Sequence, residues 1–191
     1  MLCARGENSK RETTMNEVEI AQLRSYLASQ AMRRTPAQLL EALQKTYAEF
    51  VQATHTIPDS AFYTSPQEQE WSAAKVVAHV QTMLAAYQQA ISMVLECGEQ
   101  PEAQSEAISG AIDPSLQGVS REQLLSALEA TCEHLRDVVL RADPQAHLDL
   151  SWGHFELGQM HWREWLLFAR VHLKVHVQQM QDLARQMEMQ S

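Results

Sequence analysis

The chain has 191 residues, 45 % of them hydrophobic, with 6 glycines, 6 prolines and a formal net charge of -9. That composition excludes a disordered chain and gives one ordinary domain enough apolar surface for a core. The acidic balance argues against nucleic acid as a partner, no apolar run reaches the length of a membrane span, and the polar first residues lack the apolar heart of a signal peptide, so a cytoplasmic location is the default expectation.

Residues 1–14 read as a polar, disordered tail, and residues 15–191 as a single domain. Val18, Leu23, Tyr26, Leu27 and Met32 predict a short helical extension before the main helices. Thr35-Pro36 with Gln38 is a capping-box start with proline at the first helical position, and the helix should run to about Thr54. Ile57-Pro58-Asp59 breaks it. Ser72 caps the second main helix, which should end near Glu96 with Gly98 just beyond. A long connection holding Pro101, Gly110, Pro114 and Gly118 follows. Ser120 with Gln123 opens the third helix, again as a capping box. Residues 142–158 read as a further connection, and the fourth helix should span about Met160 to Met187. Its apolar stripe is Trp162, Trp165, Leu166, Ala169, Leu173, Val177, Met180 and Leu183. Four amphipathic helices must bury their stripes against one another, so the expected fold is an all-α four-helix bundle. Cys3, Cys97 and Cys132 form no CxxC pair and are odd in number, which fits free thiols in a reducing compartment.

Histidine carries the chemistry. His172 and His176 stand one turn apart on one helix face, about 40° from each other at 100° per residue. Two imidazoles so spaced can aim their nitrogens at one metal ion, or can bond separately to neighbouring helices. His79 flanks the inward stripe of the second helix. Taken alone it reads as a core-edge residue. With the other two it completes a set of three imidazoles from two facing helices, an arrangement that leaves coordination positions open for reaction. His161 lies about three turns before His172, too far to share an ion, and fits capping or packing at the bundle end. His134, His55 and His147 read as surface residues. His154, in the segment Trp152-Gly153-His154-Phe155, can lie over the bundle mouth or in solvent. Trp71 and Tyr87 read as core, and Arg163 and Glu164 as partners of neighbouring helices or of a dimer contact. The 9 methionines read as flexible core filling.

Two segments resemble the DinB/YfiT-like family. Glu70-Trp71-Ser72 leading to His79 is similar to that family's Trp-Ser start of the second helix with its first metal histidine. Trp162-Arg163-Glu164-Trp165-Leu166 leading to His172 and His176 is similar to its last helix, whose HxxxH supplies the other two ligands. The resemblance implies an up-down-down-up bundle, usually a homodimer. It implies one divalent ion (nickel, zinc, manganese or iron(II)) on His79, His172 and His176. It also implies a small-molecule substrate, attacked by a metal-activated low-molecular-weight thiol or by water. No general acid or base is identified by motif, so a non-catalytic metal-binding dimer or interaction module is the alternative.

Overall fold

The computed structural model describes residues 16–67, 70–104, 116 and 118–190, with backbone alone at 188–190. The expected tail over 1–14, Cys3, and the part of the long connection holding Gly110 and Pro114 lie outside the described residues.

A first helical turn leaves amide donors open, and here side chains close them. Helix α1 (Glu17–Arg33) is a single helix capped by Asn16, with Glu19 returning to the Asn16 backbone. Helix α2 (Pro36–His55) starts on the Thr35/Gln38 capping box and α4 (Arg121–Arg141) on the Ser120/Gln123 box, as the sequence predicts. Helix α3 (Ala73–Ser92) is capped by Ser72 and closes on one wide turn, Met93–Cys97, of π type. Gly98 ends it in the left-handed region at φ 67°. A short 3-10 turn, Asp59–Ala61, sits in the α2–α3 connection.

The connection expected over 142–158 holds a hairpin that the sequence reading lacks. Strands β1 (Ser151–His154) and β2 (Gly158–His161) pair antiparallel, with Ser151 opposite His161 and His154 opposite Gly158. Helix α5 (Trp162–Gln190) therefore starts two residues later than expected, because Met160 and His161 belong to β2. It also runs on past Met187 to Gln190. The hairpin is held by its packing. Trp152 stacks on Trp165 at 5.2 Å with the rings nearly parallel, and the backbone amide of Gln104 donates to the Gly153 carbonyl at 2.8 Å.

Cross-links fix the helix directions. Arg163 donates to the carbonyl of Arg34, and Lys174 pairs with Glu49 at 2.6 Å, so α2 and α5 run parallel. Arg121 reaches the Ile57 carbonyl before α3, and Arg141 pairs with Glu96 after it, so α3 and α4 also run parallel to each other. His79 meets His172 and His176 while Tyr87, further along α3, meets Trp165 and Phe168, so α3 and α5 are antiparallel. The result is an up-down-down-up four-helix bundle of α2, α3, α4 and α5, with α1 laid against α5. The eight residues predicted for the stripe of the last helix are all buried. Among the described residues, no helix is long and apolar enough to cross a membrane.

Candidate metal centre

Ser72 starts α3 so that His79, two turns in, faces α5 across the bundle and is only 2 % exposed. His172 and His176, one turn apart on α5, face back. Their Nε2 atoms meet at 3.1 Å, and the His79 Nε2 lies 3.3 Å from that of His172. Two nitrogens bound to one ion at 2.0–2.1 Å stand about 2.9–3.4 Å apart when they occupy adjacent coordination positions. The observed spacings fall inside that range.

Proton counting favours a cation at the focus. The Nδ1 of His176 contacts Gln179 Oε1 at 2.8 Å, and an amide oxygen only accepts. His176 therefore carries its proton on Nδ1 and turns a lone pair inward. A single Nε2 proton, on His79 or His172, would be all that three convergent nitrogens could share. One cation gives each of them a partner. Among the described residues, these three side chains are the group of histidine, cysteine or carboxylate donors close enough to hold one ion.

Burial keeps the imidazoles neutral, as ligation requires. It pushes the His79 pKa down to about 4, with the neighbouring His176 adding to the effect. Burial also holds His172 well below the usual histidine range, helped by His176, His79 and His154. His176 is lowered by burial and partly restored by its bond to Gln179.

The surroundings are mostly aromatic. Trp71, half-buried, packs on the His79 ring at 5.0 Å. Tyr87 and Phe168 each lie 6.1 Å from the His172 ring. His154 sits on the hairpin against Phe168 at 4.9 Å, near enough for its charge to oppose one on His172. Its Nδ1 accepts the backbone amides of Glu156 and Leu157 at 3.1 and 3.2 Å, so the proton resides on Nε2. Of the two placements open to it in the sequence, His154 takes the one beside the site.

The remaining histidines stay apart. His55, His134 and His147 are exposed. His161 precedes α5, where its backbone amide donates to Glu164 at 2.9 Å, a capping role at the bundle end. Glu164 also pairs with Arg24 of α1 at 2.7 Å, so its partner is a neighbouring helix within the chain. Gln179 is the site residue that the sequence reading misses. Its only signal is its place one turn beyond His176, in a glutamine-rich stretch.

The fold and the histidine cluster together define a helical-bundle protein with a candidate metal centre on two facing helices. The DinB superfamily profile matches residues 42–180, and the chain belongs to that superfamily. Two solved structures share the fold. One is TT2238, a four-helix bundle protein, at 18 % identity with a TM-score of 0.59, covering 78 % of this chain and 99 % of that one. The other is YfiT from Bacillus subtilis, described as a probable metal-dependent hydrolase with an unusual four-helix bundle topology. It is 14 % identical, with a TM-score of 0.58 and 94 % of each chain covered. No curated protein matches the chain.

Proposed function

We propose that this protein is a metal-dependent enzyme that holds one divalent ion, nickel, zinc, manganese or iron(II), on His79, His172 and His176. The observation that carries this reading is the convergence of three Nε2 atoms, from two helices, at ion-binding spacing inside a buried site. Such an ion, when bound, supplies a Lewis acid that lowers the pKa of a coordinated low-molecular-weight thiol or water into the neutral range. A small electrophile is then the fitting substrate class, with transfer to the thiol or hydrolysis as the outcome. Description of YfiT as a probable metal-dependent hydrolase agrees with the second of these.

The chain's own residues prepare the site. Burial keeps the three ligands unprotonated at neutral pH. Trp71, Tyr87 and Phe168 pack round the imidazoles, limit water and hold the rings in place. His154 offers an uncharged Nε2–H donor beside the cluster, positioned by two backbone amides, and suits hydrogen bonding to a substrate oxygen.

Metal analysis of purified protein, followed by turnover assays with small electrophiles and either a panel of low-molecular-weight thiols or water alone, tests the proposal. Metal-dependent turnover with one nucleophile is the expected result. Stoichiometric metal with no turnover under any condition would move the reading to a non-catalytic metal-binding module. Absence of metal above background would reject the centre itself.

A further inference from the structure

We infer that Gln179 is a positioning residue for this centre: it fixes the tautomer and ring orientation of His176 so that Nε2 presents a lone pair to the cluster. The inference rests on the metal-site reading for its purpose, but its physical content stands without metal. Gln179 follows His176 by three residues on α5, which places the two side chains on one face within reach of each other. The recorded contact is Nδ1 to Oε1 at 2.8 Å, and His176 is 7 % exposed, so water is poorly placed to replace the amide.

The orientation of the amide decides the outcome. With Oε1 toward the ring, Nδ1 must be protonated and Nε2 is free to ligate. Turned round, the amide NH2 would need a lone pair on Nδ1, and the proton would move to Nε2, pointing at His172 and blocking a cation. The contact of Nδ1 with Oε1 at 2.8 Å is the first arrangement, and it leaves the His176 lone pair facing His172 Nε2 at 3.1 Å. The other helix offers a contrast. Among the described residues, His79 Nδ1 is buried without a hydrogen-bond partner, and its ring packs against Trp71. Of His79 and His176, the second is thus the one anchored by a hydrogen bond, and Gln179 is the anchor.

Outer hydrogen-bond partners of metal-bound histidines are typically worth about 10–100-fold in metal affinity. Two measurements test the assignment. In metal-free protein with 15N-labelled histidine, long-range 1H–15N correlation spectra should show His176 as the Nδ1–H tautomer in the wild type. In Gln179→Leu it should become mixed or shift to Nε2–H. In zinc titrations against a competing chelator, Gln179→Leu should bind about 10–100-fold more weakly. Gln179→Glu, whose carboxylate can only accept, should bind at least as tightly as the wild type. A purely structural role for Gln179 would not let the charged variant rescue binding.

An Nε2–H tautomer in the wild type, an unchanged tautomer in Gln179→Leu, or equal weakness of the Leu and Glu variants would overturn the assignment. Should Gln179→Leu fail to fold, as judged by circular dichroism, the Glu variant and the wild-type tautomer still decide. If the wild type takes up no zinc, the metal reading falls, while the tautomer spectra independently decide what Gln179 does.

Discussion

The Nε2 atoms of His79 and His172 face each other at 3.3 Å, although 93 residues separate them in the chain. Only the antiparallel packing of α3 on α5 brings them together. Removing either one leaves two donors, so His79→Ala and His172→Ala should each lose stoichiometric metal. His134→Ala, on the exposed face of α4, should keep it. Elemental analysis after desalting reads this directly. Unfolding midpoints give a second reading, because an ion that binds only the folded state stabilises it by about 4 kcal/mol at a thousandfold excess over Kd. For a domain of this size that is about 10 °C. Chelation should lower the midpoint of the wild type by that order and leave the His79→Ala midpoint where it is.

Acid should weaken the metal-free fold, and His154 supplies part of the effect. Burial lowers its pKa from the ordinary 6.5 to about 4. As pH falls through 6.5 the unfolded chain takes up the proton first, while the folded chain stays unprotonated until about 4. Stability is therefore fully present above pH 6.5 and declines between 6.5 and 4, by about 1.4 kcal/mol per pH unit for each such group. His79, His172 and His176 shift in the same direction. His154→Asn keeps an acceptor for the amides of Glu156 and Leu157 but has no titrating group. Urea titrations of metal-free protein across that window should show a shallower decline in the variant, by close to one proton. An unchanged slope would mean that His154 is not held neutral by burial.

Most of the bundle was legible because its determinants are local. A cap needs only a Thr or Ser and a Gln three residues on, so the starts of α2 and α4 followed from Thr35/Gln38 and Ser120/Gln123. The HxxxH pair is likewise a property of one helix. Whether His79 joined it depended on how two helices pack, which spacing alone left open. The hairpin is not legible in the sequence because its strands are four residues each, too short for an alternation pattern. What holds it is remote: the face of Trp165 under Trp152 and the backbone amide of Gln104 on the Gly153 carbonyl. Gln179 was hidden among Gln178 and Gln181, since composition does not say which glutamine points inward.

Helix α1 should depend on one ion pair for much of its docking. Glu164 is 5 % exposed and accepts from both Arg24 and the His161 backbone amide, and Arg24 also donates to the Gln159 carbonyl. Arg24→Ala would leave a buried carboxylate with its cap bond and the His161 ring, whose Nε2 lies 3.6 Å away. Because the arginine side chain is itself partly exposed, the expected cost is about 2–3 kcal/mol, below that of a fully buried pair. Hydrogen exchange should show protection falling across Glu17–Arg33 well before the rest of the chain. Unaltered protection there would show that α1 is held by its apolar contacts instead.

Gly98 should resist substitution for two separable reasons. Its φ of 67° lies in the left-handed region, where a side chain costs about 1–2 kcal/mol. A Cβ there would also stand 3.1 Å from His147 Cε1. His147 is exposed and can swing away, so the crowding is the cheaper part. Gly98→Ala should therefore lower stability by about 1–2 kcal/mol, and adding His147→Ala should recover less than half of the loss. Gly98→Asn should cost less than Gly98→Ala, because asparagine tolerates this backbone better. Urea midpoints of the three variants decide the matter. Full recovery in the double variant would mean that contact with His147, and not the backbone, makes glycine necessary at the end of α3.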